Sequence, residues 1–102
     1  MDRLSRLHAF LELDPDDLFT RFAIALEQVN ATDDAQACAT FQEILIRDPG
    51  YVGAYLHYGK CLERLGRAAE ARDIYIRGID FARSTKDTHA ASELSGALEE
   101  LD

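Results

Sequence analysis

Apolar residues recur along this chain in blocks whose spacing is helical. In "YLHYGKCLERL", residues 55–65, Tyr55, Tyr58, Leu62 and Leu65 fall at i, i+3, i+7 and i+10, one face of a helix. Gly66 follows, at the place where helices commonly turn left-handed and stop. The pattern resumes with Ala68, Ala71, Ile74, Tyr75, Ile79 and Ala82, which predicts a second helix antiparallel to the first across a short turn. Upstream, "DDLFTRFAIALEQV" and "DDAQACATFQEILIRDP" predict another such pair, with Asp16 or Asp17 and Asp33 capping free N–H groups at the helix starts. Leu4, Leu7, Phe10 and Leu11 predict a lone N-terminal helix ending at Asp14-Pro15. Ala91, Leu94, Leu98 and Leu101 predict a last helix capped by Asp87. The reading is six helices and no strand.

The two prolines, Pro15 and Pro49, are 34 residues apart and each follows an aspartate. The same offset relates Ala25 to Gly59, Ile24 to Tyr58, Ala37 to Ala71 and Phe41 to Tyr75, so the chain is a two-helix unit written twice. One helix pair cannot cover its own apolar face; stacked pairs with atypical ends can. Ala25, Gly59, Ala37 and Ala71 mark places where helices approach closely, and Phe41 and Tyr75 are expected to fill the space between successive pairs. The apolar stripe Leu18, Phe22, Ala25, Leu26 and Val29 is rotated by about a third of a turn from that of Tyr55, Tyr58 and Leu62. The expectation is that this helix rolls against the N-terminal one. The alternative is an apolar outer side open to a partner.

These residues resemble the tetratricopeptide repeat family, whose signature is an aromatic, Leu-Gly and Tyr on the first helix, then Ala, an aromatic and Pro on the second. The second unit reads Tyr55, Tyr58-Gly59, Leu62, Ala71 and Tyr75 at that spacing, and ends at Arg83 in place of Pro. The first keeps Ala25, Ala37, Phe41 and Pro49, but has Arg21 in the aromatic place and Gln28 in the Tyr place. Leu7 and Pro15 repeat the spacing from the second-helix aromatic to Pro, as in the second half of a truncated unit. The resemblance implies an all-α fold of antiparallel helix-turn-helix repeats stacked in a right-handed superhelix. It divides the single domain 1–102 into a half-repeat helix (1–15), a first repeat (16–49), a second repeat (50–83) and a C-terminal capping helix (84–102).

The resemblance further implies a non-enzymatic module that binds a peptide or helix of another protein in a concave groove lined by the first helix of each unit. On that reading the partner-binding residues are Phe19, Phe22 and Leu26 of the first unit and Gly53, His57, Lys60 and Arg64 of the second. A basic strip beside an apolar one suggests a partner segment with an acidic or C-terminal carboxylate group and a hydrophobic anchor; a solvated charged face is the alternative. Family members that clamp a C-terminal carboxylate use Lys and Asn on these faces. Phe22, Leu26 and His57 stand there instead, which argues against that particular recognition. A homodimer, or a fragment completing a larger repeat assembly, is the competing function.

Composition narrows the partners. Eleven Lys and Arg against nineteen Asp and Glu give a net charge of −8, a field that repels a phosphate backbone, so nucleic acid is not expected. No stretch approaches the roughly 20 apolar residues of a membrane span, and "MDRLSRLHAF" lacks the apolar run and cleavage site of a signal peptide. Two separated cysteines, Cys38 and Cys61, suit a reducing, cytoplasmic setting. The segment "HYGKC", residues 57–61, gathers residue types that enzymes use, with His57 and Cys61 one turn apart. No Gly-rich loop nearby supplies an oxyanion hole, and two ligands fall short of the four of structural zinc, with His89 only a distant third. No catalysis, metal or cofactor is expected, and Cys61 reads as structural.

Overall fold

The computed structural model describes residues 1–101. Its helices are α1 (Arg3–Leu13), α2 (Leu18–Asn30), α3 (Asp34–Arg47), α4 (Gly53–Arg64), α5 (Ala68–Ser84) and α6 (Thr88–Leu101), with no strand among the described residues.

The turns repeat as the sequence does. At the two Asp-Pro joints, the N–H of Asp14 donates to Phe10 O and that of Asp48 to Ile44 O; the N–H of Asp17 donates to Asp14 O and that of Tyr51 to Asp48 O. Within each pair the chain reverses through a left-handed residue, Thr32 (φ 58°) in the first and Gly66 (φ 78°) in the second. Each reversal is closed by the same bond, Asp33 N–H to Gln28 O at 2.9 Å and Arg67 N–H to Leu62 O at 2.8 Å. Where Arg83 replaces Pro nothing forces a stop, so α5 runs for 17 residues against 14 in α3 and ends through a left-handed Lys86 (φ 60°). Carboxylates cap the starts: Asp2 accepts from Ser5 N–H, Asp17 from Phe19 N–H, Asp33 from Gln36 N–H and Asp87 from Ala90 N–H.

Each helix packs on the next, and α4 also touches α6. The result is two layers, α1, α3 and α5 in one and α2, α4 and α6 in the other. The shortest dimension, 19 Å, is that of two helices at roughly 10 Å each. Ala25, Ala37, Phe41, Tyr55, Cys61, Ala71 and Tyr75 are fully buried between them. A Cβ placed on Gly59 would stand 2.1 Å from Tyr75 Cε1, so only glycine allows this approach. Tyr75 thus lays its ring on Gly59 within its own hairpin, and Phe41 bridges successive pairs, stacking on Tyr58 with ring centroids 6.3 Å apart.

Three expectations need correction. Leu65 is 39% exposed, because α4 ends at Arg64 and the helical period stops with it; Ala68 is exposed as well. Phe10 is 61% exposed, because α1 lies at the end of the stack and packs mainly on α2. Above all, α2 does not roll. Its buried residues are Thr20, Ile24, Ala25 and Gln28. Their counterparts 34 residues on are Ala54, Gly59 and Leu62, all buried, and the part-buried Tyr58. The helix keeps the orientation of α4 because its inward polar groups are satisfied. Thr40 Oγ1 donates to Gln28 Oε1 at 2.6 Å, and Thr20 Oγ1 donates to Asp17 at 2.6 Å. Polar residues occupy the packed face, and the apolar stripe of Phe22 and Leu26 turns outward.

Candidate partner-binding groove

The outward side of α2 continues across α4 to α6. Two clefts meet there. One of about 290 Å³ is lined by Arg3, Phe19, Phe22, Leu26, Glu27 and Asn30. The other, of about 190 Å³, is lined by Phe22, Gly53, Leu56, His57, Glu93 and Leu94. Phe22 belongs to both. Its ring lies 5.5 Å from Tyr51, 5.6 Å from His57 and 6.1 Å from Phe41, while His57 stacks on Phe41 at 6.1 Å with only 10° between the planes. Aromatic contacts of this kind fix the rings and contribute beyond their buried area.

The cations of this face are already engaged. Arg64 grips Asp34 on α3 with two nitrogens, at 3.0 and 2.9 Å. Lys60 stands between Glu100 at 3.7 Å and Glu63 at 3.9 Å. Arg3 pairs with Glu27 at 2.9 Å. Burial against the two phenylalanines lowers the pKa of His57, an effect the facing Glu93 only partly offsets, so the imidazole is neutral at neutral pH although its edge reaches solvent. The hydrogen-bonded Arg64 holds Asp34 below the ordinary carboxylate value.

Of the residues singled out from sequence, Phe22, Gly53 and His57 come together in one cleft and Phe19, Phe22 and Leu26 in the other. Lys60 and Arg64 lie on the same helix but are turned to carboxylates of α6 and α3. Leu56, Glu93 and Leu94 were missed. Leu56 stands 34 residues after Phe22, so the repeat frame carried the signal. Glu93 is reached only through packing. The buried residues of α6, Leu94 and Ala97, occupy the frame positions of Lys60 and Glu63. The last helix is therefore rolled relative to α4, and Glu93 comes to the lip of the groove.

Cys61, one turn beyond His57 on α4, packs into the core. It is fully buried, its sulfur takes an N–H from Arg64 at 3.2 Å, and burial above all pushes its thiol up to about 12. A thiol held protonated is a poor nucleophile. Among the described residues no group of three or more His, Cys, Asp or Glu is placed to hold a metal, and no helix is long and apolar enough to cross a membrane.

Known proteins share this arrangement. The sequence profile of the tetratricopeptide repeat matches residues 31–94. A TPR repeat-containing protein of Pseudomonas aeruginosa is 28% identical over 87 residues, 85% of this chain and 83% of that protein. The solution structure of a tetratricopeptide repeat domain protein from Salinibacter ruber is 42% identical, with a TM-score of 0.82 over 87% of this chain and 90% of that one. The type III secretion translocator chaperone SycD of Yersinia enterocolitica, at 16% identity, shares the fold with a TM-score of 0.87 over 96% of this chain and 68% of its own. With half of the chain and more matched by the family profile, and the repeated hairpins on view, this chain belongs to the tetratricopeptide repeat family.

Proposed function

We propose that this chain is a non-enzymatic module that binds a peptide or helix of a partner protein along the concave face of α2, α4 and α6. The carrying observation is that Phe22 joins two clefts into one apolar track, entered past a Phe19 that is 74% exposed. An apolar stripe left outside a helix whose buried side is satisfied by polar residues calls for something to cover it. We read the chain as a half unit (1–15), two units (16–49 and 50–83) and a closing helix (84–102), working in a reducing cytoplasm. Its net charge of −8 suits protein rather than nucleic acid. An acidic or C-terminal carboxylate group on the partner would have to displace Asp34 from Arg64, or Glu100 and Glu63 from Lys60. The hydrophobic anchor is the part of the expected recognition that the groove favours.

The test is affinity capture with the wild type, Phe22→Ser, and the double variant Lys60→Glu, Arg64→Glu. Partners lost with Phe22→Ser and kept with the double variant support an apolar groove. Partners unaffected by either change would end the proposal. So short an array offers a single peptide less than the about 800 Å² per side of a standard interface, so affinity will be modest.

A second reading is self-association. Phe10 (61% exposed), Leu13 (85%) and Phe19 (74%) present apolar surface at the N-terminal end of the stack. Sedimentation across a range of concentrations separates a dimer from a monomer, and Phe10→Asp would dissolve a dimer built on that end.

A further inference from the structure

We infer that the segment taken up by this groove is cationic on either side of its hydrophobic anchor, the opposite sign from the acidic partner that the basic stripe of α4 suggests; the inference rests on the groove reading above. Each cation on the face is held by carboxylates of the chain itself: Arg3 by Glu27, Lys60 by Glu100 and Glu63, and Arg64 by Asp34. The imidazole of His57, the remaining basic group in the cleft, carries no charge at neutral pH. None of them is available to a partner's acid without breaking a contact.

The carboxylates are not so constrained. Glu93, at the lip beside His57, is bonded to the exposed His89 at 3.1 Å on its own helix. Glu100 is 76% exposed while it holds Lys60. The lip of α6 therefore offers two outward carboxylates beside an apolar cleft, on a chain whose net charge is −8. Charge complementarity selects a partner with Lys or Arg flanking a Phe- or Leu-like anchor that reaches Phe22 and Leu56. Such a partner can add its cations to Glu93 and Glu100, which stay open to solvent while they hold His89 and Lys60. An acidic partner meets the field of the whole chain and must also compete for Lys60 and Arg64.

The probe is a phage-displayed library of random 12-residue peptides, selected on the wild type with removal of clones that also bind Phe22→Ser. Glu93 and Glu100 are both at the surface, so the reporting variant Glu93→Lys, Glu100→Lys folds as the wild type does; its melting curve checks this. Selected peptides rich in Lys and Arg around an aromatic or aliphatic residue are expected. Their affinity should fall about tenfold or more on the double change and weaken as salt rises. Phe22-dependent peptides with Asp or Glu flanks, binding more tightly to the double variant, would overturn the inference and leave the groove standing. Recovery of no Phe22-dependent peptide would remove the groove and this inference together.

Discussion

The ring of Phe22 meets the imidazole of His57 edge-on at 5.6 Å, and through this contact the first repeated unit touches the second on the groove side. Phe22 is half-buried, so it serves packing and surface at once. Phe22→Ser should therefore cost about 1–3 kcal/mol of stability and leave the fold intact. Urea unfolding of the variant measures that cost, and near-native circular dichroism with loss of captured partners is the outcome that matches the proposed role.

His57 gives the molecule a pH dependence of known sign. Its folded pKa lies below the unfolded value because the ring is packed against Phe22 and Phe41. The unfolded chain then binds the proton more readily. The stabilisation is fully present above the unfolded value, near pH 6.5, and is lost as pH falls through the folded one. Melting temperature should decline over that interval in the wild type and decline less in His57→Phe. An identical slope in both would place the titration elsewhere.

Gly59 and Tyr75 are matched by shape. With Tyr75 Cε1, Cζ and Cδ1 all within 2.7 Å of where a Cβ would stand, Gly59→Ala forces the ring out of its site. The Tyr75 hydroxyl, which donates to Glu63, would move with it. A loss of about 1–3 kcal/mol is expected from overpacking alone, more if that bond breaks, and denaturant titration reads it. Gly59→Ala combined with Tyr75→Leu should recover part of the loss, since the smaller side chain vacates the space.

Much of this architecture was legible because it repeats. Asp-Pro at 14–15 and 48–49 and the left-handed pair Thr32 and Gly66 each obey the same offset, and the turns that close on them are the same turns. The orientation of α2 was not legible. Hydrophobic periodicity assumes that apolar residues face inward, and in α2 the inward face holds Gln28 and Thr20, whose polar atoms find partners on Thr40 and Asp17. The charge state of the groove was hidden for a related reason. Lys60 and Arg64 read as a free stripe along one helix until α6 and α3 bring Glu100 and Asp34 to them, residues 40 and 30 positions away.

Thr32 shows the repeat at its least comfortable. Its φ of 58° is one that a β-branched residue rarely adopts, and Gly66 occupies the equivalent place at 78°. Thr32→Gly should relieve strain and raise stability by about 1 kcal/mol, while Gly66→Ala should lower it by a similar amount. Thermal unfolding of the two variants must move in opposite directions. Movement in the same direction would show that the turn does not set the difference.

The buried thiols supply an independent check on the packing of α3 against α4. Cys61 is fully buried with its pKa pushed up to about 12, and Cys38 is 6% exposed with its pKa also raised by burial. An aromatic disulfide reagent should find neither thiol in the native protein and both in denaturant. Rapid native labelling of Cys61 would mean that the two helices part far more readily than this packing allows.

Hydrogen exchange, followed with and without a captured partner, tests the central claim most directly. Binding in the groove predicts slowed exchange in α2 and α4, centred on Phe22 and Leu56, with the amides of α1 and α5 unchanged. Protection confined to α1, or to the outer layer of α3 and α5, would contradict a concave binding face.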